Sequence, residues 1–203
     1  MLYRFALLLI CAAICSCGKS DPGSPLAEAG GVAPVFEPGG ATPEEAFANF
    51  IAAGKRKDWR GFILCVDVDS RDGMLLTMTQ LAAITTMDDK DAQKVFRDLC
   101  VKHGVPEENA GATALFADPE KAMAAAKVRF GGVKDKAAFF VEMMEFNDRY
   151  MDGRSTPPMS GATLKDLTVS GDTAKAVGVD EDGMSLPVGF RKRDGRWFVV
   201  FLP

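Results

Sequence analysis

Near residue 164 the apolar period of this chain changes from about 3.6 to 2, and no other feature limits the fold as strongly. Beyond that point LKDLTVS, TAKAVGV, MSLPVGFRK and RWFVVFL are short runs rich in β-branched, small and aromatic residues, separated by GD, DEDG and RDG. Such punctuation reads as four strands joined by tight turns, an antiparallel meander. Met184, Leu186, Val188 and Phe190 alternate with Ser185, Pro187, Gly189 and Arg191, so the third strand should bury one face. Ala174, Ala176 and Gly178 share a face of the second strand, small enough for a helix or a ligand to approach closely. The last strand, Trp197 to Leu202, is apolar on both faces and is expected at the centre of the sheet.

Before the switch the pattern is helical. Thr42-Pro43-Glu44-Glu45 combines a capping threonine, a proline at the first helical position and a glutamate at the third. Ala46, Phe47, Phe50 and Ile51 continue as an apolar stripe that Gly54 should close. Asp58 reads as the cap of a short second helix, with Trp59, Phe62, Ile63 and Val66 on one face. Helical spacing recurs near 74–87, 90–103, 119–130 and 135–151. Lys102-His103-Gly104, with Pro106 beyond, is stop chemistry, and Asp118-Pro119 is start chemistry. Helices followed by a meander give an α+β class, with a helix-rich N-terminal half packed on a C-terminal four-stranded antiparallel sheet.

The N-terminus carries a different kind of signal. Arg4 precedes an apolar run from Phe5 to Ile14, broken by Ser16, Gly18 and Lys19, which is too short to be a good membrane span. Ile14-Cys15-Ser16-Cys17 resembles the bacterial lipobox, whereas Cys11 and Cys15 each follow a bulky isoleucine and fit worse. The resemblance implies cleavage after Ser16 and diacylglyceryl transfer to the Cys17 thiol, since sulfur is the nucleophile that takes the lipid. Two or three acyl chains then anchor stably. Gly18, with no aspartate in its place, points by the same analogy to the outer membrane of a host with two membranes. The plainer alternative is a secreted protein with an unmodified Cys17.

Residues 1–16 are thus expected to be a signal peptide. Residues 17–41, rich in Gly, Pro, Ala and Ser, are expected to be a lipidated end and tether spanning roughly 27 Å. Residues 42–203 are expected to be one domain with a substantial core. Loss of 1–16 removes Arg4 and no acid, leaving 23 basic and 28 acidic residues, net −5. A mildly acidic chain has no electrostatic footprint for nucleic acid, and Lys55-Arg56-Lys57 reads as a solvated helix end.

TPEEAFANFIAAGKRKDWRGF and LTVSGDTAKAVGV…MSLPVGFRKRDGRWFVVF together resemble the nuclear transport factor 2-like (cystatin-like, SnoaL-like) family, over roughly 42–68 and 162–203. The resemblance implies a cone-like fold, which in enzymes of that family holds an acid and a tyrosine inside a pocket. The helical stretch 70–153 is longer than the family usually has. After processing Tyr150 is the one remaining tyrosine, with Asp148 nearby and His103 the one histidine, so these three are the candidate pocket-lining groups. No catalytic motif of the family transfers residue by residue.

Other constellations weigh toward ordinary structure. Asp67-Val68-Asp69-Ser70-Arg71-Asp72-Gly73 has the acids of a calcium loop, but Arg71, Asp72 and Met78 hold the positions that need a ligand, a glycine and a glutamate. A turn with a helix cap accounts for it, and no metal or cofactor is expected. Acids at 88, 89 and 91 suit a first helical turn, and DEDG and RDG are hairpin turns. Cys65 and Cys100 lie on apolar stripes. They are either two buried thiols or, in an oxidising envelope, a disulfide closing a loop worth about 3–4 kcal/mol. Cys100 and His103 are three apart, a conceivable nucleophile pair without an orienting third group. Met143, Met144, Phe139, Phe140 and Phe146 read as core, with a soft ligand pocket as the alternative.

The expected role is therefore a lipid-anchored cell-envelope protein whose domain binds a small hydrophobic ligand or an envelope protein without catalysis. The alternatives are a small-molecule enzyme of SnoaL-like type, and a helix-rich module with an exposed apolar patch on 70–153.

Overall fold

The Thr42 hydroxyl accepts from the Glu45 N–H (3.2 Å) while the Glu45 carboxylate reaches back to the Ala41 N–H (2.7 Å), so the first helix starts where its cap chemistry places it. The computed structural model describes residues 37–106, 118–150 and 161–200. Their order is α1 (Pro43–Lys55), α2 (Trp59–Leu64), α3 (Arg71–Thr85), α4 (Lys90–Lys102), α5 (Pro119–Phe130), α6 (Lys136–Tyr150), β1 (Thr163–Ser170), β2 (Thr173–Val179), β3 (Ser185–Arg193) and β4 (Arg196–Val200). The strands pair antiparallel in the order β1-β2-β3-β4, so the chain is α+β with its helices before a meander.

Local chemistry sets most helix ends. Asp58 accepts from the Gly61 N–H (2.9 Å), Asp89 from Ala92 (2.9 Å) and Asp118 from Glu120 (2.9 Å). At the end of α4 the Val105 N–H bonds Cys100 O and the Gly104 N–H bonds Val101 O, with Gly104 at φ 74: a Schellman stop. The same motif ends α1, but not at Gly54 as expected. That glycine stays inside the helix, and Lys57 takes the left-handed position (φ 56), with Asp58 N–H on Ala53 O and Lys57 N–H on Gly54 O. A second correction concerns α3, which begins at Arg71 rather than 74. Gly73 is buried in its first turn, and Asp72 is anchored by Lys136 of α6 at 2.6 Å.

The sheet holds a third correction. β4 ends the four-strand order and is not central. Its outer edge is nevertheless closed: Gly40 exchanges hydrogen bonds with Trp197 (3.0 and 2.8 Å), and Val199 accepts from Asp67 N–H and donates to Cys65 O. Two short pieces of chain thus do what a fifth strand would do, which is why an edge strand can be apolar on both faces. Residues 37–41 accordingly pack on the sheet and are not tether as expected. On the opposite edge β1 carries a bulge between Lys165 and Thr168, with Asp166 at φ 53. The β3–β4 hairpin turns at Asp194-Gly195, both at positive φ as a type I′ turn requires.

A relay of rings runs through the helices and meets the sheet at Phe190. Phe47 of α1 meets Phe190 of β3 edge-on (6.5 Å), Phe50 stacks on Phe62 of α2 (4.2 Å), and Phe62 lies against Phe140 of α6 (5.9 Å). Phe139 meets Phe130 of α5 at 6.1 Å. Ile63, Leu75, Leu76 and Met143 fill the space around them with no exposed surface. At about 1.5–3 kcal/mol for each large apolar side chain buried, this layer is the chief source of stability. On β3 Val188 and Phe190 are buried as expected, but Leu186 is exposed.

Candidate functional site

The candidate pocket residues do not share a hollow. His103 sits at the C-terminal cap of α4, its ring 5.0 Å from Phe139 and its Nε2 3.3 Å from Glu142 Oε1. Glu142 Oε2 takes the Lys102 ammonium at 2.6 Å, and that hydrogen bond chiefly holds the carboxyl below its usual range. Asp148 meets Lys57 Nζ at 3.1 Å beside the α1–α2 turn, and the Tyr150 ring lies on Phe146 at 4.7 Å. Each of the three is engaged by a different neighbour. Cys65 and Cys100 are free, buried thiols and form no disulfide. Burial pushes the Cys100 thiol up to about 11, so at neutral pH it carries its proton and is no nucleophile for His103 to assist. Cys17 lies outside the described residues.

The acidic run 67–72 finds cations from the far end of the chain. Asp67, with no exposed surface, follows the short bridge to β4 and is held from both sides. Arg193 grips it bidentately, Nε on Oδ2 and Nη2 on Oδ1 (3.2 Å), and its Nη2 also reaches Asp69 Oδ2. Arg191, two residues earlier on the same face of β3, donates to Asp69 Oδ2 at 3.0 Å. The hydrogen bond to Asp67 is the main cause that raises the Arg193 guanidinium above its already high range. Asp67 Oδ1 also accepts the Asp69 N–H (3.2 Å), the turn expected of this stretch. Guanidinium groups therefore occupy the carboxylates, and among the described residues no three His, Cys, Asp or Glu side chains converge as a metal site.

Beside this cluster lies an open groove of about 470 Å³, lined by Arg71, Arg193 and Arg196 around Leu64 and Phe198, with Glu37 and Asp194 at its margin. The tight Asp194-Gly195 turn puts Arg193 and Arg196 directly opposite each other in the β3–β4 ladder, a like-charge pair that needs anions nearby. Glu37 provides one, with its Oε2 on Arg196 Nη1 at 2.5 Å. Arg196 Nε is held by Pro38 O at 2.9 Å. Arg71 is half-buried, and desolvation is the leading cause that lowers its pKa. It donates Nε to Val66 O (3.1 Å) and Nη2 to Leu64 O (3.3 Å).

Guanidiniums do not exchange protons at neutral pH, so Arg71, Arg193 and Arg196 can hold an anion but are not themselves acid–base groups. It was not foreseen as a site. One signal was available: RKRDGR places arginines at both ends of a two-residue turn and therefore side by side. No known family model, curated protein or solved structure matches the chain.

Proposed function

We propose that the chain is a lipid-anchored cell-envelope protein, attached through Cys17, whose folded domain binds at its surface and performs no chemistry in its interior. The observation that carries the binding half is apolar packing both at the sheet, where Phe47 meets Phe190, and among the helices, where Phe50, Phe62 and Phe140 stack; an enzyme of the cone type would need a polar hollow over the sheet. The protonated Cys100 thiol and the separate engagement of His103, Asp148 and Tyr150 support it. The anchoring half rests on the resemblance of residues 14–17 to a lipobox and on the need for at least two acyl chains for stable attachment.

Fractionation of cells producing the wild type and Cys17→Ser, with mass spectrometry of the mature N-terminal peptide, tests the anchor. The expected result is an acylated Cys17 in the membrane fraction and a soluble variant. A wild-type peptide without acyl mass refutes it. Thermal melts with indole test the interior: the wild-type Tm should not move, whereas saturable stabilisation would favour the SnoaL-like enzyme reading.

A further inference from the structure

We infer that the groove beside β4 is a binding site for a small organic carboxylate, with Glu37 as its built-in competitor. Arg71 supplies the first reason. A half-buried cation is costly unless an anion offsets it; Asp67 does so in part through space, but among the described residues the hydrogen-bond partners of Arg71 are the backbone carbonyls of Val66 and Leu64, with no carboxylate within ion-pair distance. Two of its nitrogens are fixed by Val66 O and Leu64 O, so the fork is already oriented. Arg196 supplies the second. Its Nε is locked by Pro38 O, while its Nη1 holds the Glu37 carboxylate, a side chain still 70% exposed. The chain thus places a carboxylate of its own on a groove arginine, at a position open enough for another to replace it. Arg193 commits its Nε and Nη2 to Asp67 and Asp69 and contributes chiefly charge. Leu64 and Phe198 add apolar wall between the guanidiniums, and the volume of about 470 Å³ falls within the range of small-molecule sites. A carboxylate with a short apolar body matches both features: its oxygens accept from the planar forks and its body covers Phe198.

The inference rests on the surface-binding reading above. Its test uses the full mature chain, made lipid-free by Cys17→Ser, with ¹⁵N NMR of the arginine Nε–H groups and the aromatic ring protons. The probe is 4-phenylbutyrate and the control its neutral amide. The carboxylate should move the Arg71 and Arg196 signals saturably and the amide should not. Glu37→Gln should tighten binding about two- to fivefold, the scale of an exposed ion pair removed from competition. Arg196→Gln, checked for native circular dichroism, should weaken it tenfold or more, the scale of a charged hydrogen bond. Equal binding of the amide, affinity unchanged by Glu37→Gln, or no saturable shift in that variant overturns the carboxylate site while leaving the surface-binding reading standing. Shifts at Phe62 and Phe140 in place of the arginines overturn both.

Discussion

Phe62→Ala tests whether the core among the helices is close-packed. Phe62 is 3% exposed and touches three rings: Phe50 at 4.2 Å, Phe140 at 5.9 Å and Trp59 edge-on at 6.0 Å. Truncating such a ring loses its transfer energy and leaves a cavity, together about 3–5 kcal/mol. Against a typical total of about 5–15 kcal/mol, that is a large share of the stability. For a domain of this size each kcal/mol shifts Tm by about 2–4 °C, so a drop of roughly 6–20 °C is expected. Phe62→Leu keeps most of the volume and should cost much less, about 1–1.5 kcal/mol. Urea unfolding at 25 °C, followed by circular dichroism at constant m, reads both variants. A loss under about 1 kcal/mol for Phe62→Ala, or equal losses for the two variants, would mean that the ring has room around it and that the packed interior is wrong.

Three further perturbations probe particular contacts. Gly40→Ala should destabilise by about 1–3 kcal/mol, because a Cβ there would lie 2.3 Å from the Ala46 nitrogen, backbone that cannot yield; an unchanged urea midpoint contradicts this. Lys57→Gly should stabilise by about 0.5–1 kcal/mol, since it relieves a left-handed lysine worth about 1–2 kcal/mol and forfeits only the exposed pair with Asp148; a lower Tm contradicts it. Alkaline pH should destabilise through Cys100: the folded thiol is raised to about 11, so its contribution is intact below the unfolded value near 9 and is lost as pH climbs toward 11. Between pH 8 and 10.5 the unfolding free energy from urea should fall by about 2 kcal/mol more in the wild type than in Cys100→Ala, and an equal fall in both contradicts it.

Features set by bonds within a few residues were legible in the chain. Thr42, Asp58, Asp118 and Gly104 cap or stop helices where their side chains or φ demand it, and the turns at 180–183 and 194–195 follow from Asp and Gly at fixed offsets. Features set by distant partners were not. Nothing local says that Gly40 and Val66 will close the edge of β4, so that strand looked central. Gly54 looked like a stop because glycine suits αL, but its burial inside α1 outweighed that preference and left αL to Lys57. Locally the acids at 67 and 69 spell a turn, and their arginines at 191 and 193 lie more than 120 residues away. The groove shares that origin, since Arg71, Arg193 and Arg196 converge only once β4 packs on α1 and pairs with the segment after α2 through Val66. Residues 14–17, which resemble a lipobox, lie outside the described residues.

The most direct test of a packed interior is diffraction from a crystal of the folded domain held under xenon, which enters apolar cavities and scatters strongly. The expected map has no xenon in the layer bounded by Phe47, Phe62, Phe140, Met143 and Phe190. An ordered xenon atom among those side chains would contradict it, and would return the interior to consideration as a ligand pocket.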